Sequence, residues 1–239
     1  MSTKRELNLS KTLLTDKGIF EITKFTTLDF PNNLACILWF AKCNMFCRYC
    51  YNPEIVRGEG RYTNEEILEF LKTRIGKLTG VVLSGGECTL YPHLIELCEE
   101  IKELGFKIKV DTNGLKPDVI KELIECSLID FVALDYKAPT EKFTQITKVQ
   151  SNEKFYKTLD FLIDKNFPFE IRTTVHSELL ASSDINEIIR DLKKRKYKGT
   201  YYLQNFLEVQ NTLGDMDIPS IPIDKTLLLG DLPIEIRNP

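Results

Sequence analysis

Apolar runs of strand length alternate with amphipathic runs of helix length along most of this chain, and nothing else limits its fold as tightly. Residues 34–40, 80–83, 106–110, 128–134, 169–175 and 200–203 read as strands. Residues 63–75, 92–104, 117–126, 152–166 and 185–194 carry apolar positions at helical spacing, as in Ile67, Leu68, Phe70 and Leu71. Thr63 is the expected N-cap of its helix, with Glu66 completing a capping box; Pro92 and Pro117 open helices and Gly105 stops one. Such alternation specifies parallel βα units, because a parallel crossover needs a dozen or more residues and a helix supplies them. Six strand–helix steps are legible, the last without an assigned helix. That is too few for a complete eight-stranded barrel. The expected fold is α/β, a partial (open) (β/α)6 TIM-like barrel. An open Rossmann-like sheet is the alternative, weakened because no G-x-G-x-x-G follows the first strand.

At 239 residues the chain can build one sizeable core, and we expect a single domain over 1–239. Residues 1–33 form a preamble in which 18–22 and 24–28 pair as a short hairpin; 34–204 form the core. Residues 205–239, proline-rich and without periodicity, wrap the open side or the barrel mouth. A net charge of −3 and a pI near 5.6 point to neither nucleic acid nor a membrane as partner. No run is long enough to span a bilayer, and 1–11 is polar with no apolar signal core. Seven cysteines, an odd number without an export signal, imply reduced thiols and a cytoplasmic location.

Three of those cysteines, Cys43, Cys47 and Cys50, stand within eight residues just past the strand 34–40. Open and barrel-shaped α/β proteins place their chemistry at such strand ends. The spacing i, i+4, i+7 could be one face of a helix burying thiols, although Asn44, Arg48 and Asn52-Pro53 make poor company for a core helix. A structural zinc site needs four ligands, and the next cysteine, Cys88, is distant in sequence. An iron–sulfur cluster is the third reading. Three thiolates on a four-iron cube leave one iron with an open position, a place for reactivity.

Other polar groups gather at strand ends. Gly85-Gly86-Glu87 follows the second strand, Asp111-Thr112-Asn113-Gly114 the third, Asp135-Tyr136-Lys137 the fourth, and Arg172 and His176 mark the fifth. Taken singly they have plainer meanings: a βα turn, an ion pair, a satisfied histidine. Arg172 lies in a buried run, where a charge needs a carboxylate or a ligand. Two carboxylates at neighbouring strand ends, Asp111 and Asp135, need a cation between them. His93 and Cys36 read as structural, and Cys88 as a packed thiol beside the proposed site.

Cys-x3-Cys-x2-Cys with an aromatic, Tyr49, before the last cysteine resembles the signature of radical S-adenosylmethionine (SAM) enzymes. Leu28-Asp-Phe-Pro, the cysteine motif with Tyr-Asn-Pro-Glu, Ser-Gly-Gly-Glu, Asp-Thr-Asn-Gly, Ala133-Leu-Asp-Tyr-Lys-Ala-Pro139 and Arg-Thr-Thr-Val-His run in order over roughly 25–206. Together they are similar to the activating proteins of anaerobic ribonucleoside-triphosphate reductase, the larger type related to pyruvate formate-lyase activating enzyme. The family usually has Pro where Cys88 stands.

The resemblance implies a partial barrel of the radical SAM type and one [4Fe-4S] cluster on Cys43, Cys47 and Cys50; since Cys126 is the only cysteine after Cys98, a second cluster is not expected. It implies SAM bound by Tyr49 near the adenine and by backbone at Gly85, Gly86 and Glu87 near the amino group. Lys137 would pair with the SAM carboxylate. Asp111 would lie near the ribose or a monovalent cation, with Thr112, Asn113, Asp135, Arg172 and His176 completing the site. It further implies that a flavodoxin or ferredoxin delivers one electron, SAM is cleaved to a 5′-deoxyadenosyl radical, and a partner glycyl-radical enzyme loses hydrogen from a glycine. The other readings are a different glycyl-radical partner of the pyruvate formate-lyase type, a small-molecule substrate such as a modified-base intermediate, or a metal-binding module without catalysis.

Overall fold

A computed structural model describes residues 15–208, 211–214, 216 and 219–238. The polar stretch 1–11 lies outside them. The described chain falls into two compact units. One holds the chain up to Cys43, Glu54–Asp111 and Val119–Phe131; the other holds Asn44–Pro53, Thr112–Asp118 and everything from Val132 onward.

In the first unit, β1 (Ile19–Thr26) runs antiparallel to β2 (Ala35–Phe40). Then follow α1 (Pro53–Arg57), α2 (Asn64–Lys72), β3 (Gly80–Gly85), α3 (Leu94–Glu103), β4 (Lys107–Thr112) and α4 (Pro117–Glu125). Strands β2, β3 and β4 are parallel, in a register that sets Phe40 beside Gly85 and Leu83 beside Val110. Ala35, Cys36, Ile37, Leu38 and Phe40 are all buried. A strand apolar on both faces is what a covered parallel sheet requires. Phe30, Ala35, Ile37 and Val82 pack together with Trp39 and Phe131 against them. The capping box forms: the Thr63 hydroxyl accepts from the Glu66 N–H at 3.2 Å, and the Glu66 carboxylate from the Thr63 N–H at 2.8 Å. Ile67, Leu68 and Leu71 of α2 are buried; each such side chain contributes about 2 kcal/mol.

The expected hairpin within 18–28 does not form. Ile19–Thr26 is one continuous strand whose partner is β2. The point where a turn was placed, Ile22-Thr23-Lys24, has no Gly, Pro, Asn or Asp, and its β-branched residues favour extended backbone.

The second unit carries β5 (Phe131–Asp135), α5 (Thr140–Thr147), α6 (Glu153–Asp164), β6 (Phe169–Val175), α7 (Ser182–Lys194), β7 (Tyr201–Asn205) and β8 (Ile234–Arg237). Strands β5 to β8 pair in parallel. All six sequence-predicted strands are present, as β2 to β7. Helix α5 and strand β8 were not foreseen: α5 hides behind Pro139, and β8 is only four residues long. After β7 the described residues hold a short 3-10 turn, Lys225–Leu227, and no α-helix. That stretch is stitched to the unit by the Ser177 N–H donating to the Ser220 hydroxyl, by the Ile221 N–H donating to the Ser177 hydroxyl, and by Asn186 bonding at Leu227 and Leu229. Strand order follows the sequence, with β1 and β8 as its two edges, so this α/β sheet is open, as a partial TIM-like architecture is.

Candidate active site

In the first unit, the chain leaving β2 is steered toward Cys43 by its neighbours. Ala41 N–H donates to Gly18 and Lys42 N–H to Ile55, both at 2.9 Å, and Lys42 takes a left-handed conformation with φ 69°. Gly86 and Glu87 donate their N–H groups to the carbonyls of Phe40 and Lys42. A Cβ at Gly86 would lie 2.0 Å from the Lys42 carbonyl oxygen, and Gly85, at φ +114°, would meet Phe40 backbone at 2.4 Å. The two glycines are therefore demanded by the peptides that lead into Cys43.

Beyond them, the Glu87 carboxylate is buried and caps the turn Cys88–Leu90 through the N–H and hydroxyl of Thr89. Cys88 is fully buried and its thiol reaches the Asp111 carbonyl at 3.6 Å, as a packed thiol should. Asp111 accepts from the Ser84 hydroxyl at 3.0 Å and pairs with Lys109 at 2.8 Å. Lys109 is only 1% exposed. The sequence reading passed over this lysine. Its place two residues before Asp111 in a strand, which puts both on one face, was the available signal.

In the second unit, the cysteine loop is anchored on both sides. Phe46 and Arg48 donate N–H groups to the carbonyls of Thr147 and Ile146, and the Asn113 amide donates to the Asn44 side chain at 2.8 Å. The rest of Asp-Thr-Asn-Gly folds on itself: the Thr112 hydroxyl accepts from Gly114 N–H and the Asn113 side-chain oxygen from Leu115 N–H, both at 3.1 Å. Gly114 has φ +75°, and a Cβ there would press on Leu134 at 2.8 Å. Asn113 is thus engaged with the cysteine loop through Asn44, a link the sequence did not suggest.

Asp135 stands at the end of β5 with two cations on it. Its carboxylate accepts from Lys137 at 3.0 Å and from the Arg172 Nε at 2.8 Å. Arg172 therefore has the carboxylate partner its buried strand required. Burial works against the Asp135 charge, but Arg172 and Lys137 outweigh it and pull the carboxyl down to about 2. Burial likewise opposes the charge of Lys137; Asp135 foremost, with Tyr49 and Cys47, holds its pKa well above the ordinary lysine value. The Lys137 ammonium lies 5.9 Å from the Tyr49 ring centre. Burial pushes the Cys47 thiol up to about 11 against the pull of Lys137, so a metal binding there must displace its proton. His176 is fully buried, edge-on to Phe206 at 4.7 Å, and its Nδ1 accepts from Glu178 N–H at 3.2 Å, which leaves the ring proton on Nε2.

Each unit thus gathers part of the expected set. Gly85, Gly86 and Glu87 pack on the peptides of Phe40 and Lys42 while Asp111 pairs with Lys109 in one; Cys47, Tyr49, Asp135, Lys137 and Arg172 meet in the other. All the described cysteines are free. Among the described residues no three His, Cys, Asp or Glu side chains are grouped to hold a single metal ion. An iron–sulfur cube asks for a different arrangement, each thiolate on an iron of its own.

Comparison with known proteins extends this picture. Residues 37–192 match the radical SAM superfamily. A Methanocaldococcus jannaschii protein named as a glycyl-radical enzyme activating enzyme is 34% identical over 72% of this chain and 74% of its own. A pyruvate formate-lyase-activating enzyme of Clostridium pasteurianum is 32% identical over 50% of this chain and 52% of its own. Among solved structures, Streptococcus suis SuiB bound to S-adenosylmethionine superposes with a TM-score of 0.63 at 15% identity, over 82% of this chain and 48% of that one. This chain spans about half the length of the solved structures it matches. The residues present suit the groups such proteins use. Three free cysteines supply soft thiolate donors for iron. The Tyr49 hydroxyl is buried without a hydrogen-bond partner, and Lys137 gives one hydrogen bond to Asp135 while an ammonium has three to give.

Proposed function

The chain belongs to the radical SAM superfamily, and from that premise we propose that it is a glycyl-radical enzyme activase whose partner is anaerobic ribonucleoside-triphosphate reductase. It is a radical SAM enzyme, and its cofactors are one [4Fe-4S] cluster and SAM. The observation that carries the activase reading is the likeness, along nearly three quarters of both chains, to the M. jannaschii protein named for that activity.

In this reading Cys43, Cys47 and Cys50 hold the cluster. Lys137 receives the SAM carboxylate with its remaining donors while Asp135 and Arg172 fix its position. Gly85, Gly86 and Glu87 offer backbone to the amino group, and Tyr49 lies against the adenine. Asp111, Thr112, Asn113 and His176 line the remainder. A cluster on Cys43, Cys47 and Cys50, with SAM held beside it, would supply one-electron radical chemistry directed at the partner's glycine. Lys109 already sets a positive charge beside Asp111, so the reading needs no monovalent cation at that carboxylate. A flavodoxin or ferredoxin in the cytoplasm is the electron donor we infer, and the whole chain acts as one domain.

The test is to incubate the anaerobically reconstituted protein with SAM, a reductant and the reductase, then record the electron paramagnetic resonance spectrum. A glycyl radical that requires both SAM and this protein is expected. Formation of 5′-deoxyadenosine without a glycyl radical would overturn the reductase as partner and direct attention to another glycyl-radical enzyme or a small-molecule substrate.

A further inference from the structure

Four contacts tie the far end of the chain to the cysteine loop. Gly214 N–H donates to the Arg48 carbonyl at 3.0 Å, and Leu213 N–H to the Cys50 carbonyl at 3.2 Å. Leu207 N–H donates to the Tyr51 hydroxyl at 2.9 Å, and the Phe206 ring lies 5.0 Å from that of Tyr51. On its other side the loop gives the N–H groups of Phe46 and Arg48 to Thr147 and Ile146. Those carbonyls close the last turn of α5, where a helix leaves C=O groups without internal partners. The loop therefore runs as a strand would between two rails, donating from 46 and 48 to one and accepting at 48 and 50 from the other.

Gly214 is the tightest point. A Cβ there would lie 2.6 Å from both the Cα and the Cβ of Arg48 and 2.8 Å from its carbonyl oxygen. Only glycine lets the two backbones approach so closely. Irregular backbone is costly to hold in one geometry, about 1–2 kcal/mol per residue. The loop between Cys43 and Cys50 has no regular secondary structure of its own, so its order must come from neighbours.

We propose that Phe206, Leu207, Leu213 and Gly214 form a strap that positions Cys47 and Cys50 and slows loss of the cluster they hold. These are positioning residues, acting through the loop's main chain. The inference rests on the assignment of Cys43, Cys47 and Cys50 as the cluster's ligands.

The experiment compares wild type, Gly214→Val, Tyr51→Phe and Gly230→Val, each reconstituted anaerobically with iron and sulfide. Gly230 is the control, because a Cβ there would meet nothing within 4 Å. The readouts are iron per chain and the rate at which the cluster absorbance bleaches in air or with an iron chelator. Gly214→Val should bleach about fivefold faster, the factor that losing roughly one main-chain hydrogen bond implies. Tyr51→Phe should bleach about twofold faster, through the weaker loss of one hydroxyl acceptor, and Gly230→Val at the wild-type rate. A folded Gly214→Val that bleaches at the wild-type rate overturns the proposal, as does Gly230→Val bleaching equally fast. If circular dichroism shows Gly214→Val unfolded, Tyr51→Phe decides, and a wild-type rate there overturns it. Cys47→Ala runs alongside: iron uptake equal to wild type would sink the ligand assignment itself, a separate failure.

Discussion

Lys109 is buried to 1% exposure, where a charge needs a partner, and Asp111 meets it at 2.8 Å. Removing one partner of a buried ion pair costs about 3 kcal/mol or more, while removing both costs less than the sum. Lys109→Met and Asp111→Asn should each lower stability by about that amount in chemical denaturation, with the double variant recovering part of the loss. Single losses below about 1 kcal/mol would mean that the pair is solvent-screened and that Lys109 does not organise Asp111. The three cysteines, the two glycines, Asp135, Lys137 and Arg172 were singled out in the sequence as candidates because each breaks a local expectation: clustered thiols, paired glycines, charges at the ends of apolar runs. Lys109 was not, because one lysine in a strand reads as a solvent-facing position until the strand's neighbours are known. Asn44 and Asn113 were legible as loop residues but not as partners, since a side-chain bridge across 69 residues leaves no local trace.

Among the elements, the junction of β2, β3 and the cysteine loop bears most on function. Gly86 sits where any side chain would strike the Lys42 carbonyl, one residue before Cys43. Gly86→Ala should displace that peptide, lowering stability by about 1–3 kcal/mol and reducing iron per chain after reconstitution. Normal iron loading in a folded Gly86→Ala variant would show that Cys43 does not depend on this contact. Strands and helices with long apolar periods were legible to within three residues at their ends: the box at Thr63 and Glu66 starts α2 as expected. What failed was short or lacked a local marker. Strand β1 was read as two pieces because its alternation is weak, and it is held straight by pairing with β2, which a local pattern does not contain. Strand β8 consists of Ile234–Arg237, specified by its partner β7.

For the whole molecule, the succession of parallel βα units from β2 to β7 was readable because strands and helices alternate at a regular interval. The division into two compact units was not readable, since each collects segments distant in sequence. The cysteine motif crosses that division covalently: Cys43 ends a segment of the first unit, and Cys47 and Cys50 belong with the second. The most direct test is the electron paramagnetic resonance spectrum of the reduced, anaerobically reconstituted protein, recorded with and without SAM. The account predicts about four irons per chain and a cluster signal that changes when SAM is added. A signal indifferent to SAM, or an equal signal from Cys47→Ala, would contradict it.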